Sequence, residues 1–390
     1  MGIEFICLIL FCFLAIEWIS RLIYQPKERV TFQIAGCFIV LFIFFCLRDL
    51  PILNDTGHYY GKQYMLLHSS GFDSASIFPK YNPDDHYEYL FQVWARIVGK
   101  YIWSDAYAII FLTSLMVTIA NLWLIRKFTP HIGFAVIFLF LFLCFMNSAI
   151  RQAYALVLFY FSLKPLTERK YIKYYLIMLV AFFFHKSSWV LLFLPLFMNM
   201  KLNVRNISIV LILCAAVSIS IYSIFEWVGY GDHFYYVHNS QRERIPYAAI
   251  LNELFNIFML IGIWYIYRNY RIRFPERIIT WCSILCVTIG LLGIPMQVLS
   301  RYALYFEVLL TLQFMYVCFA QRNTANNVPA PNYHGGRTIM FSRTMLFNVF
   351  LILNIARIII VLLVREEWFH LTPYSFYDFE PGLHPFRFGY

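Results

Sequence analysis

The chain has 390 residues, of which 61% are hydrophobic and only 13% are charged, against roughly 25% charged residues in a typical soluble protein. This composition excludes a soluble globular enzyme and a disordered chain. The formal net charge of +10 could point to nucleic acid, but in so apolar a chain the position of the charges has to be considered first.

Apolar blocks recur along the chain, and roughly 20 helical residues cross the bilayer core of about 30 Å. We therefore predict an all-α, polytopic integral membrane protein that forms one membrane domain over residues 1–390. About twelve spans are expected, of which the sixth and seventh are short enough to form a bent pair. Their approximate limits are 3–20, 32–47, 106–125, 132–149, 152–166, 174–186, 188–200, 206–225, 249–267, 278–294, 303–320 and 344–363.

The first block lacks the basic start and the small-residue cleavage site of a secretory signal peptide, so we expect it to be a retained span. The loops that follow odd-numbered spans are short and rich in Lys and Arg, whereas those that follow even-numbered spans balance cations with carboxylates. The positive-inside rule then places the odd loops in the cytoplasm and both termini outside. The excess charge thus indicates topology, and we expect no nucleic-acid partner.

The longest inner loop, 321–343, has the composition of a flexible linker and contains no nucleotide-binding signature. ATP-driven transport and cytoplasmic use of nucleotide-sugars are therefore not expected. The outer face should carry three larger segments, 48–105, 226–248 and 364–390. Residues 86–104 repeat apolar side chains at helical spacing, which predicts an amphipathic helix along the outer interface.

Carboxylates and aromatic rings are concentrated in the first outer segment, where Asp55 and Glu88 are two of the acidic residues. They could be solvated loop charges and interfacial anchors. They could also bind a carbohydrate, because carboxylate oxygens accept hydrogen bonds from hydroxyls and rings pack on the apolar faces of sugars.

Four basic residues stand at the predicted outer ends of spans, namely Arg48, Arg151, His185 and Arg301. An arginine at that depth needs a counter-charge because unpaired desolvation is costly. The arginines could pair with distant carboxylates, or several could converge on a bound anion such as a lipid diphosphate. His185 could be an interfacial residue, or a base that takes a proton from a sugar hydroxyl.

Other polar residues of the apolar blocks point to structure. The nine cysteines lie in or beside apolar blocks without metal-ligand neighbours, so free core cysteines are expected and no metal site is. Arg357 lies about seven residues, or roughly 10 Å, inside the twelfth predicted span. It must find a partner there, either a protein group or a substrate.

Several stretches resemble the EpsG family of membrane proteins. They are LRDLPILNDTGHYY from residue 47, HYEYLFQVWARI from residue 86, the long stretch 147–197 that runs from Arg151 to Pro195, LSRYALYF from residue 299, and LTPYSF from residue 371. The match touches most of the chain in order, and the stretch from Arg151 to Pro195 is its most specific part. EpsG proteins are similar to Wzy-type O-antigen and exopolysaccharide polymerases.

The resemblance implies a membrane glycosyltransferase of GT-C-like architecture in the bacterial plasma (inner) membrane, with its site facing the exterior. Such an enzyme would move a growing glycan from undecaprenyl diphosphate to a sugar hydroxyl of another lipid-linked repeat unit. No metal or other cofactor is implied. Arg151 and Arg301 would bind the diphosphate with Arg48 assisting, since fixed cations stabilise the negative charge of the leaving group.

The base for the acceptor hydroxyl would be His185, with Asp55 or Glu88 as rivals. A protein that regulates chain length is an expected partner, together with the lipid-linked donor and acceptor and the bilayer. Two other functions remain open, a flippase for lipid-linked oligosaccharides and a membrane O-acyltransferase. A flippase should carry its charges along a central path through the bilayer.

Overall fold

A computed structural model describes residues 3–50, 52–53, 55–68, 77–78, 88–227, 247–270, 272, 277–294, 297–320, 342–364, 371 and 374–377. Most of the predicted outer loop 226–248, nearly all of the predicted linker 321–343 and most of the tail 364–390 lie outside these residues. So does the part of the outer segment between 79 and 87.

The described chain is built from α-helices joined by short turns. In chain order they are α1 (Ile3–Ile19), α2 (Pro26–Leu41), α3 (Thr56–His68), α4 (Tyr89–Ile97), α5 (Ala108–Phe128), α6 (Ile132–Phe138), α7 (Phe140–Ser148), α8 (Ile150–Thr167), α9 (Tyr171–Phe184), α10 (Leu194–Phe197), α11 (Val204–Trp227), α12 (Tyr247–Tyr270), α13 (Arg277–Gly293), α14 (Gln297–Phe319) and α15 (Arg343–Val364). Short 3-10 segments cover Ser20–Leu22 and Lys186–Phe193, and π-helical turns cover Phe42–Cys46 and Val98–Ile102.

Six of the described helical segments are long and apolar enough to cross a membrane. They are Ile3–Leu22, Pro26–Cys46, Ala108–Phe128, Tyr247–Tyr270, Leu299–Phe319 and Arg343–Val364. A seventh is possible if α7 and α8, which meet at a bend of 120°, count as one broken span. The structure is thus consistent with a polytopic membrane protein. It does not establish the twelve spans or the GT-C-like architecture expected from the sequence.

Length explains much of the difference between these spans and the expected twelve. The 14 residues of α9 extend about 21 Å, which is short of a bilayer core of roughly 30 Å. The segment after it is a 3-10 stretch and one short helix, Lys186–Phe197. The two predicted spans 132–149 and 152–166 meet at the sharp bend beside Ala149 instead of standing as two straight helices.

Helices α8 and α9 form an antiparallel pair that determines where several polar residues lie. The tight turn between them contains Arg169, a non-glycine residue with a φ of 58°. At the other end of the pair, the extended backbone of His185 (φ −158°, ψ 116°) stops α9 and starts the 3-10 segment. Arg151, in the first turn of α8, and His185 therefore lie at the same end of the pair.

A short C-terminal segment, residues 374–377, packs on the residues after α2. Arg48 and Phe376 form an antiparallel bridge, and the Asp49 amide donates to the Ser375 carbonyl at 3.0 Å. The Tyr377 ring stacks on Tyr107 with centroids 4.0 Å apart. These contacts hold the start of the 48–105 segment against the N-terminal end of α5.

Candidate active site

The centre of the site is the carboxylate of Glu88, which contacts two of the predicted basic residues. Arg151 Nη1 donates to Glu88 Oε2 at 2.6 Å, and His185 Nδ1 lies 3.0 Å from Glu88 Oε1. The backbone amide of Lys186 also donates to Glu88 Oε1 at 3.2 Å. One carboxylate thus joins the start of α8 to the end of α9.

Aromatic packing at Tyr154 explains how α4 brings Glu88 to this position. The Trp94 indole donates to the Tyr154 hydroxyl at 2.7 Å, and Phe91 packs against the Tyr154 ring. On its other side the Tyr154 ring stacks on Phe184, with centroids 5.2 Å apart. Because Tyr154 lies one turn after Arg151 in α8, and Glu88 is the residue that precedes the first turn of α4, the two helix starts meet.

Glu88 is a buried but ionised group. Its side chain is 7% exposed, and burial by itself raises the pKa of a carboxyl. The hydrogen bond from His185 and the charge of Arg151 outweigh the burial and lower the pKa of Glu88 from 4.5 to about 2. Glu88 is therefore an anion at neutral pH, and a very weak base.

Helix α3 covers the other side of Arg151. Arg151 Nε donates to the Tyr59 hydroxyl at 3.1 Å. Burial raises the pKa of Tyr59, and the neighbouring Arg151 charge opposes that rise. Asp55 is exposed at the start of α3, and its charge acts on Tyr59 and on His58. Asp55 therefore lies at the rim of the site.

Arg301 lies close to the same end of the molecule and is exposed. The side-chain amide of Gln152, the residue after Arg151, donates to the Arg301 carbonyl at 2.8 Å. One turn further along α14, the Tyr305 hydroxyl lies 2.9 Å from Ser187 Oγ. These two contacts join the start of α14 to both the start of α8 and the segment after His185.

Arg48 has a different environment from the other predicted basic residues. Its side chain is 0% exposed. It donates to the Ser114 hydroxyl at 2.7 Å, to the Asn147 carbonyl at 3.0 Å, to the Thr56 hydroxyl at 3.4 Å and to the Phe45 carbonyl. These enclosing acceptors favour a structural role for Arg48 over the expected role at the diphosphate.

The structure therefore brings three of the six predicted residues into contact, places two beside them, and buries one elsewhere. Glu88, Arg151 and His185 form the contact group, hereafter the Glu88 triad. Arg301 and Asp55 lie around it. Within the described ranges, no group of three His, Cys, Asp or Glu side chains is arranged to hold a metal ion.

Sequence reasoning missed three residues that shape this site, namely His58, Tyr59 and Gln152. Tyr59 follows Asp55 by one helical turn, and Gln152 follows Arg151 directly, so both were near the predicted residues in the chain. A helix prediction over 56–68 would have placed Asp55 and Tyr59 on one face. The contact of Gln152 with a carbonyl 149 residues away had no signal in the sequence.

The Glu88 triad and the neighbouring Arg301 offer three chemical groups at one end of the helices. They are an imidazole oriented by a carboxylate, a guanidinium with charge and donors for an anion, and a second exposed arginine nearby. Such a set can accept a proton from a hydroxyl and stabilise a negatively charged leaving group.

Comparison with known proteins gives one match. No curated protein sequence and no solved structure is significantly similar to the chain. The sequence model of the EpsG family matches residues 31–330, which is most of the chain and contains Glu88, Arg151, His185 and Arg301. That family membership suggests a polysaccharide polymerase, in general terms a glycosyltransferase-like enzyme. The chain belongs to the EpsG family.

Proposed function

We propose that this protein transfers a growing glycan from undecaprenyl diphosphate to a sugar hydroxyl of a second lipid-linked repeat unit. The observation that carries the proposal is the Glu88 triad, in which one carboxylate contacts an arginine and a histidine at a helix end. The membership of the chain in the EpsG family supports a polymerase. The donor lipid and the direction of the site, toward the outside of a bacterial plasma membrane, are parts of the proposal.

His185 is the general base in this proposal, and Glu88 is the residue that positions it. A carboxylate 3.0 Å from Nδ1 favours the tautomer with the proton on Nδ1, which leaves Nε2 free to accept one. Glu88 itself is a poor base because its pKa is about 2. Asp55, exposed at the rim, is better placed to bind hydroxyls of the incoming sugar.

Arg151 and Arg301 bind the diphosphate of the donor in this proposal. Arg151 is held by Glu88 and by Tyr59, and its side chain is still 22% exposed. Arg301 is exposed, and the Gln152 contact keeps its backbone beside α8. Two guanidinium groups supply charge and paired donors for diphosphate oxygens.

The chemical step then needs no group beyond these side chains and the two substrates. The acceptor oxygen bonds to the anomeric carbon of the donor glycan while its proton passes to His185 Nε2. The bond from that carbon to the diphosphate oxygen breaks, and its electron pair stays on the diphosphate. The arginines stabilise the new negative charge. The products are a longer glycan on the second lipid, undecaprenyl diphosphate, and a proton that His185 returns to water.

The test is the length distribution of surface glycan in cells that express Arg151→Ala or Arg301→Ala. We expect both variants to reach the membrane and to yield glycans that end after one repeat unit. Arg205→Ala is the matched control, because Arg205 is an exposed arginine at the start of α11 and is not part of the site. Long polymer from both site variants at normal protein levels would refute the proposal.

A deletion strain separates this function from the two alternatives. Loss of length with single units still at the surface indicates a polymerase. Loss of all surface glycan, with lipid-linked units trapped in the cytoplasmic leaflet, indicates a flippase. Unchanged length with altered mass indicates an acyltransferase. The same strain, complemented with the wild type, allows a search for the chain-length regulator by cross-linking.

A further inference from the structure

A second group of charged residues lies inside the membrane-spanning helices, away from the Glu88 triad. Glu253 of α12, Glu307 of α14 and Arg357 of α15 act electrostatically on one another. Each lies about 9 to 15 Å along its helix from the end that carries Arg301. Three helices thus place two carboxylates and one guanidinium at the same depth.

The partners of Arg357 are mostly neutral. Its Nη2 donates to Asn354 Oδ1 at 2.8 Å, and its guanidinium carbon lies 4.1 Å from the centroid of the Phe255 ring. Its Nε atom is buried and has no hydrogen-bond partner in the described part of the chain. Arg357 is 4% exposed, so its charge is retained inside the protein and can balance only one of the two carboxylates.

Glu253 is packed directly on the neighbouring helix. It is 9% exposed, and its carboxylate occupies the space above Gly290 of α13. A Cβ atom at Gly290 would overlap Glu253 Oε2. Only a glycine leaves room for the carboxylate at this contact, so α12 and α13 pack around the acidic group.

Within the described residues, three buried oxygen acceptors on neighbouring positions of α12 have no donor. They are Glu253 Oε2, Asn252 Oδ1 and Asn256 Oδ1. Asn256 is 2% exposed and its side chain is hydrogen-bonded to Glu253, so the amide lies beside the carboxylate. Unsatisfied acceptors inside a membrane domain are costly, and a bound cation would satisfy such oxygens.

We propose that Glu253, with Asn252 and Asn256, binds one monovalent cation, a sodium ion or a proton. When both carboxyls are ionised, two carboxylates and one guanidinium leave an excess of one negative charge among the three groups. Taking a charge out of water without a partner is expensive, so a cation at Glu253 balances the group. Oxygen ligands of carboxylate and amide type suit a hard cation. This site is independent of the proposed polymerase reaction.

Among the residues that the structure describes, two other titratable groups are influenced by the carboxylates of this site. Cys286 of α13 is influenced by both carboxylates, and Tyr160 of α8 by Glu307. Cys286 and Tyr160 are buried. Glu307 and Arg357 supply the charges. Glu253 and Glu307 are therefore the carboxyl groups whose charge a bound cation balances.

The experiment measures thermal unfolding of the purified full-length protein in lipid nanodiscs. Sodium chloride is replaced stepwise by choline chloride at constant ionic strength, and the series is repeated from about pH 5 to about pH 8. A ligand that binds only the folded state raises its stability. If the cation is sodium, we expect the wild-type midpoint to rise by about 2 to 4 °C in sodium and that of Glu253→Gln to stay constant.

If the cation is a proton, we expect sodium to leave the unfolding midpoint unchanged. The dependence of that midpoint on pH then tests the proposal. The carboxyl that binds a proton in the folded state favours folding at low pH and disfavours it at high pH. Glu253→Gln, which is always neutral, should therefore gain stability relative to the wild type as pH rises. The infrared spectrum of the wild type at neutral pH should also show a protonated carboxyl band that the variant lacks.

Glu168→Gln is the control, because Glu168 is a surface carboxylate that is 37% exposed and pairs with lysines. Asn256→Ala keeps the carboxylate but removes one acceptor, so it should weaken a sodium dependence about threefold or more. If the cation is a proton, the variant also loses the Asn256 hydrogen bond to the ionised carboxyl and should strengthen the pH dependence. It also provides the comparison if Glu253→Gln fails to fold. The proposal is overturned if wild type and variants respond alike to sodium and to pH and show the same carboxyl band.

Discussion

Replacing Glu88 by Gln tests whether the carboxylate positions His185 and holds Arg151. In the wild type, both Glu88 oxygens accept hydrogen bonds, Oε2 from Arg151 and Oε1 from His185 and the Lys186 amide. An amide has one oxygen and one NH₂ group. Whichever way it turns, a donor then faces a donor on one side, so at least one of the contacts is lost.

The size of the effect on stability follows from the contact. Two unit charges about 4 Å apart in a partly buried site attract by about 4 kcal/mol. A neutral hydrogen bond that remains is worth about 1 kcal/mol. We therefore expect Glu88→Gln to cost about 3 kcal/mol, within the range for broken buried pairs. The effect on turnover should be larger, about 100-fold or more, because an oriented base supplies that much.

The assay is polymerisation of purified lipid-linked repeat units by the protein in nanodiscs, followed across pH. We expect kcat to fall much more than KM rises at every pH, because the base is no longer held in position. Glu88→Asp, which keeps the charge, should restore part of the rate. A near wild-type kcat in Glu88→Gln across the pH range would refute the role of Glu88.

Three further predictions concern stability and donor binding. Because the pKa of Glu88 is lowered from 4.5 to about 2, its carboxylate stabilises the fold above about pH 4.5, and that contribution is lost as pH falls toward 2. The difference in melting temperature between wild type and Glu88→Gln should therefore shrink over that interval. A constant difference would contradict this prediction. Arg48→Met leaves the buried acceptors of Arg48 unpaired, so it should lower the free energy of unfolding by about 3 kcal/mol or more. An immunoblot should then show less protein in the membrane. A normal amount of inactive protein would instead indicate that Arg48 acts in the site. Gln152→Leu removes the hydrogen bond to the Arg301 carbonyl. We expect this variant to raise KM for the lipid-linked donor more than it lowers kcat. An unchanged KM would show that the position of Arg301 does not depend on this contact.

The basic residues of the candidate site could be selected from the sequence one by one. Arg151, His185 and Arg301 stood out because a cation at the end of an apolar block is costly and needs a reason. Glu88 was one of several acidic residues in the first outer segment, and only the family resemblance selected it as a rival base. The sequence did not show that Glu88 and His185 act together, since they are 97 residues apart.

Arg48 shows where this reasoning fails. In the sequence it resembles Arg151, a lone arginine that ends an apolar block. In the structure its acceptors come from Ser114 and Asn147, which are 66 and 99 residues away. From the sequence, an arginine that hydrogen-bonds to neutral acceptors far away in the chain looks the same as one that binds an anionic substrate. Only the packing of the helices distinguishes the two.

The sequence by itself determined the class of protein, because apolar blocks of bilayer length and the bias of charge between loops are local properties of the chain. It also determined that Arg357 must have a partner. Only the tertiary structure decided which groups meet, namely Glu88 with Arg151 and His185, and the Glu253 carboxylate with Gly290. The physical reason is that helix packing brings distant residues within hydrogen-bond range, and charges several ångströms apart in a poorly solvated interior act strongly on one another.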